Sequence, residues 1–156
     1  MTTRPLNYTT KIAASRTVGE CQELLAQAGA DAVAVMYAER QPTGLSFQLS
    51  TAHGVRTFAM PVNIDGVAGM LAKMLRTDAP HVSRAELTKL ASRDHAMNVA
   101  WRVIRDWLEA QLALIAADMA SLDEVMLPYL QVEGRRTLYQ AFVENERLAL
   151  TAGSTQ

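Results

Sequence analysis

The chain has 156 residues, of which 49% are hydrophobic and 20% are charged, and its formal net charge is −1 at pH 7. This composition is typical of one globular domain that can hold a core without disulfides or a structural metal. Residues 1–105 carry 12 Lys and Arg against 8 Asp and Glu, while residues 106–156 carry 3 against 8. Such an asymmetry can mark a basic binding surface on the first part, but an excess of 12 − 8 = 4 positive charges over 105 residues is modest beside that of dedicated nucleic-acid-binding domains.

Cysteine usage and hydropathy indicate the compartment. The single cysteine, Cys21, cannot form an internal disulfide, and residues 1–12 lack the pattern of a secretion signal. The most apolar long window, residues 101–119, is interrupted by five charged residues, which excludes a membrane-spanning helix there. The sequence therefore predicts a cytoplasmic protein that does not enter a membrane.

The first predicted elements are an extended segment and a helix. Residues 8–13 alternate threonine with apolar residues, which fits a strand or an extended arm. Thr17 and Glu20 have the spacing of a capping box, and Gly29 supplies a helix stop. A helix is therefore predicted from Thr17 to Gly29.

Three strand-like runs follow, over residues 32–38, 45–51 and 56–61. Residues 41–44 and 52–54 are predicted to connect them as hairpin turns. Alternation predicts that one face of this antiparallel sheet is buried and that the other is open to water. The predicted buried side chains are Leu45, Phe47, Leu49, Phe58 and Met60.

A short helix after the sheet is predicted to begin with Asn63 or Asp65 as its cap and to end at Arg76, before a turn at residues 78–80. A long helix is then predicted from Ser83 to Met119.

The predicted long helix opens with a capping box of Ser83 and Glu86, and both tryptophans lie on its apolar side. That side covers well over half of the circumference, more than a small sheet covers easily, so we expect a homo-oligomer, a dimer or larger, built by helix pairing. The predicted oligomer interface consists of Met97, Trp101, Ile104 and Leu108.

The last third of the chain carries a third capping box, Ser121 with Glu124, and Pro128 ends or kinks the helix that it starts. Residues 1–148 are predicted to form one globular domain, and residues 149–156 a flexible C-terminal tail.

We recognise no catalytic or metal-binding motif in the sequence. His53, His81 and His95 are far apart in sequence and have no metal-ligand spacing with Cys21. The sequence contains neither a complete phosphate-loop motif nor a nucleophile elbow. The paired carboxylates Asp106 with Glu109 and Asp123 with Glu124 fit a solvated charge ladder better than a magnesium site. We therefore expect no cofactor and no bound metal, and favour a protein that is not an enzyme.

The best candidate for binding is the open face of the sheet together with its connections. Cations, hydroxyls and amides on such a face can follow a phosphate backbone, although the same residue types occur on any soluble sheet. The predicted nucleic-acid-binding residues are Tyr8, Lys11, Arg40, Gln48, His53 and Arg56.

Several short segments resemble small, uncharacterised proteins of phages and prophages. They are residues 7–11, 18–20, 44–47, 100–111 and 127–129, and they span nearly the whole chain. None is a catalytic motif, so the resemblance implies a phage or prophage setting in a bacterial host cell and assigns no residue roles.

Together these observations predict an α+β fold: a small antiparallel sheet of three or four strands backed by helices, with a long C-terminal amphipathic helix. The leading function is a non-enzymatic phage or prophage accessory protein of DNA metabolism that binds nucleic acid without strong base specificity. The alternative is a protein-interaction module that sequesters or inhibits a host protein of defence or replication.

Overall fold

The computed structural model describes residues 6–78 and 83–153. These residues form a three-stranded antiparallel sheet and six α-helices, which confirms the α+β prediction. Two short 3₁₀ turns, Leu127–Tyr129 and Glu133–Arg135, precede the last helix. The elements are α1 (Ala14–Gln27), β1 (Ala32–Ala38), β2 (Gln41–Thr51), β3 (Gly54–Pro61), α2 (Ile64–Asp78), α3 (Arg84–Leu90), α4 (Arg93–Ala116), α5 (Leu122–Met126) and α6 (Leu138–Gly153).

The sheet has the order β1-β2-β3, and both connections are hairpins. The β2–β3 turn lies at residues 52–53, as predicted. The predicted turn at residues 41–44 is wrong, because β2 already begins at Gln41 and the chain reverses at Glu39 and Arg40. These two residues have φ of 49° and 64°, the positive values that match a two-residue turn to the strand twist.

Pro42 and Gly44, which suggested a turn, have other roles within β2. The β1–β2 register shifts between Met36 and Tyr37, and Pro42 lies at this irregularity, where a missing N–H is tolerated. A Cβ on Gly44 would lie 2.4 Å from the terminal methyl of Met36, so this glycine makes room for the methionine.

The buried face of the sheet is the predicted one. All five predicted side chains are 4% exposed or less, and the Phe47 and Phe58 rings stack at 5.6 Å. They belong to one hydrophobic core with residues of α1, α2 and α4. The helices therefore cover this inner face, while the opposite face of the sheet points away from the core.

The N-terminal segment and α1 differ from the prediction. Residues 8–13 form a turn and irregular chain rather than a strand, and α1 begins at Ala14. No side chain of the preceding residues caps this helix; instead Asn98 Oδ1 of α4 accepts the Ala14 N–H at 2.8 Å. The predicted capping box is therefore wrong, since Thr17 lies one turn inside the helix and is buried. Gly29, with φ of 88°, follows the end of α1 as predicted.

The short helix after the sheet begins as predicted. Asn63 Oδ1 accepts the Gly66 N–H at 2.8 Å, and α2 then continues to Asp78 rather than ending at Arg76. The remaining residues of the predicted turn, Ala79 and Pro80, lie outside the described residues, as does His81.

The predicted long helix is two helices. Ser83 caps α3 by accepting the Glu86 N–H, and the chain breaks at Ala91 before Ser92 caps α4 by accepting the His95 N–H. The 24-residue α4 is the longest helix described and lies within the predicted range. Because α5 and α6 follow it, the long helix is not the C-terminal element that was predicted. The last helix is the shorter, 16-residue α6.

The predicted oligomer interface on α4 also needs correction. Trp101 and Leu108 are fully buried within a single chain, and the Trp101 indole N–H donates to the Pro42 carbonyl at 3.0 Å. Met97 and Ile104 are partly buried against the same core. The sheet, α1 and α2 thus cover the apolar side of α4 that we assigned to a second copy.

The C-terminal third contains one confirmed cap and one untested prediction. Ser121 and Glu124 form the complete reciprocal capping box at α5. Residues 149–153 are helical within α6, and residues 154–156 lie outside the described residues, so the flexible tail stays a prediction. Over the described chain, no helix has both the length and the apolar character that crossing a membrane requires.

Candidate binding surfaces

A polar network joins α1 to α4. Arg102 of α4 donates to Glu20 of α1 at 2.6 Å, and Arg105 Nε lies 3.4 Å from the same carboxylate. Asn7 donates to Asp106 at 2.7 Å, and Arg105 also pairs with Glu109. Three of the segments that carry the phage resemblance meet here. Each of these charged groups lies close to a partner, so the network holds α1 and α4 together. Within the described chain, the buried Nε of Arg105 makes no hydrogen bond.

Cys21 lies next to this network and is fully buried. Burial raises the pKa of its thiol from 9.0 to about 11, and the carboxylate of Glu20 contributes in the same direction. The reactive thiolate is therefore disfavoured near neutral pH, and Cys21 packs as a small apolar side chain.

The six predicted nucleic-acid-binding residues do not form one surface. Gln48 points to the outer face of the sheet, whereas Arg56 is paired with Leu49 and so points to the inner side. Arg40 and His53 lie in the turns at opposite ends of β2, whose 11 residues span roughly 33 Å. The backbone carbonyl of Tyr8 lies 2.6 Å from His95 Nε2 of α4, away from the outer face.

Lys11 lines the N-terminal cleft, which we define as the space between residues 9–11 and the helices α3 and α4. Its volume is about 910 Å³. Lys11, Lys89 and His95 face the carboxylates Glu86 and Asp94 there, so the cleft carries both signs of charge. Hydroxyls complete its lining: Thr9, Thr10, Ser83 and Ser92.

Of the six, His53 and Arg56 line one cleft together. We call it the hairpin cleft: a space of about 460 Å³ between the β2–β3 turn and the segment from α5 to Val132. Asp123 lies 3.9 Å from His53 Nε2 at its rim. The remaining lining is Thr51, Phe58, Leu127, Leu130, Gln131 and Val132.

The strands themselves place no cation on the outer face of the sheet. Cross-strand register puts no Lys or Arg of β1, β2 or β3 there. The strand side chains on this face are small, apolar or neutral polar, and Arg135, Thr137 and Gln140, at and just before the start of α6, border it near Met36. The outer-face residues along the three strands are Ala32, Ala34, Met36, Ala38, Gly44, Ser46, Gln48, Ser50, Val55, Thr57, Ala59 and Pro61.

β1 is an edge strand of this sheet. In the described chain it pairs with β2 on one side and with no strand on the other. Met36 is 40% exposed and Tyr37 is 63% exposed. Neither a charged residue nor a proline interrupts its seven residues. This edge escaped prediction because the binding surface was expected on polar side chains. The run Ala-Val-Ala-Val-Met-Tyr-Ala was the signal that could have found it.

The carboxylates considered for a metal site contact other side chains instead. Asp106 belongs to the α1–α4 network, and Asp123 faces His53. Among the residues that the structure describes, His, Cys, Asp and Glu form no group of three or more with metal-binding geometry.

Comparison with protein-family models, with curated proteins and with solved structures finds no match to this chain. The resemblance to phage proteins therefore stays a prediction from the sequence.

Proposed function

We propose that the protein is a non-enzymatic interaction module that binds a partner protein along the free edge of β1. In the phage or prophage setting that the sequence implies, the partner would be a host protein of defence or replication that the module sequesters or inhibits. The observation that carries the proposal is the edge strand itself, seven residues long and uncharged throughout.

An open strand edge offers a row of backbone donors and acceptors to which another chain can add as a further strand. Natural edge strands are usually protected by lysines, prolines or short length, and β1 has none of these protections. The exposed side chains of Met36 and Tyr37 would add apolar contact to such pairing. Backbone pairing and apolar contact together favour a protein partner over a nucleic acid at this edge.

A lysine on the strand tests the proposal. We expect Met36→Lys to weaken partner capture from host lysate about tenfold or more, because a charge at the edge opposes strand addition. Partners retained by the wild-type protein would be identified by mass spectrometry and titrated individually against both forms.

Met70→Lys is the matched control, since Met70 lies on α2 and has the same 40% exposure as Met36. It should bind every partner with the wild-type affinity, and circular dichroism should show both variants folded. Equal affinities for Met36→Lys and the wild-type protein would reject the β1 edge as the binding surface.

Nucleic-acid binding is the second candidate, and the N-terminal cleft favours it. Lys11 and Lys89 are exposed there, and hydroxyl side chains of the kind that contact phosphate lie beside them. Fluorescence polarisation with labelled single-stranded and double-stranded DNA and RNA, at low and moderate salt, tests it, because phosphate binding weakens steeply as salt rises.

If the cleft binds phosphate, replacing Lys11 and Lys89 together by Ala should abolish the salt-dependent signal. Replacing Lys73 and Arg76, two exposed cations of α2, is the control of equal charge. No binding at low salt, or equal loss in both variants, would reject this cleft.

A further inference from the structure

The hairpin cleft holds an arginine that has no partner among the described residues. Arg16, Arg93, Arg102, Arg105 and Arg136 all form ion pairs. In the described part of the chain the side chain of Arg56 makes no hydrogen bond and no ion pair, and the same is true of Arg40, Arg76, Arg84 and Arg135. Arg56 differs from them in lining the hairpin cleft, beside its leucines. Its guanidinium offers up to five N–H donors to a ligand.

The position of Arg56 on β3 explains why it stands over an apolar surface. It is paired with Leu49 and lies two residues before Phe58, so its side chain leaves the sheet on the side of the core. At this end of the strand the helices no longer cover that side, and Arg56 is exposed. The guanidinium therefore lies at the rim of a cleft whose lining includes the buried Phe58.

The apolar part of the cleft is incompletely covered. Leu127 is 49% exposed, and Leu130 is partly buried beside Phe58, with which it forms an isolated β-bridge. Both leucines line the same cleft as Arg56. A compact apolar group placed there would remove the exposed leucine surface from water.

The two other charged groups of the cleft limit the charge of a ligand. His53 Nε2 and Asp123 lie 3.9 Å apart, and both side chains are substantially exposed. Asp123 would repel a second negative group near His53. The arrangement thus fits one anionic group at Arg56 and disfavours a polyanion such as nucleic acid.

We infer that the hairpin cleft binds a single carboxylate that is attached to a compact branched apolar group. The carboxylate accepts hydrogen bonds from Arg56, as guanidinium geometry favours, and the apolar group contacts Leu127 and Leu130 beside the buried Phe58. A cleft of about 460 Å³ is of the size that small ligands occupy. The same chemistry is offered by a free branched-chain acid and by the C-terminal residue of a peptide. The site is separate from the β1 edge, so it goes beyond the proposed function and stands or falls independently.

Titration of the ¹⁵N-labelled full chain, followed by two-dimensional NMR, tests the inference. The probes are 4-methylpentanoate, its uncharged analogue 4-methylpentanamide, and the peptide acid acetyl-Gly-Leu. We expect the acid to shift the backbone amides of Thr51, His53, Arg56 and Gln131, and the amide analogue to bind about tenfold more weakly, because it cannot make the charged hydrogen bonds. If acetyl-Gly-Leu binds tenfold more tightly than the free acid, the inference holds with a peptide terminus as the source; equal affinities support a free acid.

Arg56→Gln should weaken binding of 4-methylpentanoate about tenfold, whereas Arg76→Gln, at an exposed position of α2, should leave it unchanged. Three results would overturn the inference: no localised shifts with any probe up to tens of millimolar, equal binding of acid and amide, or wild-type affinity in a folded Arg56→Gln variant.

Discussion

Charged residues behave differently in two regions of this protein. Between α1 and α4, Glu20, Arg102 and Asp106 are partly buried and lie in contact with charged or amide partners. At the hairpin cleft, Arg56 has no partner within the described chain, and His53 and Asp123 approach only to 3.9 Å. The difference shows that residues of the same type serve the fold in one place and remain free for a ligand in the other.

Solvation is the physical reason for the difference. A charge that loses water on folding must be paired or hydrogen-bonded, because an isolated buried charge is strongly destabilising. Arg102 is only 15% exposed and therefore needs Glu20, whereas an exposed guanidinium such as that of Arg56 keeps its water until a ligand replaces it. Pairing in the free protein thus distinguishes structural charges from available ones.

The largest expected effect is a loss of folding stability when the apolar core on the α1–α4 side is altered. Trp101→Ala should lower the free energy of unfolding by about 3–5 kcal/mol, since it leaves a cavity, and the Pro42 carbonyl loses its donor. Chemical denaturation measures the loss. If Trp101 belongs to the core, the loss will not depend on protein concentration.

Tyr139→Ala is the control, because Tyr139 is 62% exposed and its removal should change stability by less than about 0.5 kcal/mol. A stability loss in Trp101→Ala that grows on dilution, together with a change in light scattering, would restore this tryptophan to an oligomer interface.

Replacing one arginine in each region should give an intermediate effect on the free energy of unfolding and compares the two regions directly. Arg102→Gln should destabilise the protein by about 2 kcal/mol, because it leaves the half-buried Glu20 carboxylate without its closest partner. Arg56→Gln should change stability by less than about 0.5 kcal/mol, since the exposed Arg56 side chain makes no hydrogen bond or ion pair with the described residues. Equal losses in the two variants, measured by urea denaturation, would contradict the distinction between structural and available charges.

The last effect is the pH dependence of stability at Cys21, which appears only above pH 9.0. Because burial raises the pKa of this thiol, the folded state binds the proton more tightly than the unfolded state. Its contribution to stability should be complete below pH 9.0 and should be lost as the pH rises toward about 11. Comparing the pH dependence of unfolding for the wild-type protein and Cys21→Ala measures that contribution.

The rate at which Cys21 reacts with a thiol reagent near neutral pH measures how often α1 and α4 separate. Cys21 should react with a thiol reagent only when α1 and α4 separate, so Arg102→Gln should accelerate labelling and Arg56→Gln should not. Rapid labelling of the folded wild-type protein would show that the α1–α4 side is open, contrary to its buried geometry.

Local sequence signals predicted local structure well. Asn63 at α2 and the Ser121–Glu124 box at α5 cap helices as predicted, because a capping bond joins residues three positions apart. Of the predicted Ser83–Glu86 box, the bond from the Glu86 N–H to Ser83 is present. The buried face of β2 and β3 followed equally from alternation, since side chains leave a strand on alternate sides. The β1–β2 turn escaped prediction because Glu39 and Arg40 lack the glycine or asparagine that marks such turns.

The sequence by itself determined the fold class, the three strands, the starts of α2, α3 and α5, and the apolar side of α4, because each depends on neighbours within a few residues. Only the tertiary structure decided which partners those elements take. Asn98 caps a helix 84 residues away, Arg102 pairs with a carboxylate 82 residues away, and Trp101 is covered by its own sheet rather than by a second copy. Chain folding alone brings such distant residues into contact, and among residues 6–78 and 83–153 it leaves the β1 edge without a neighbouring strand and Arg56 without an ion pair.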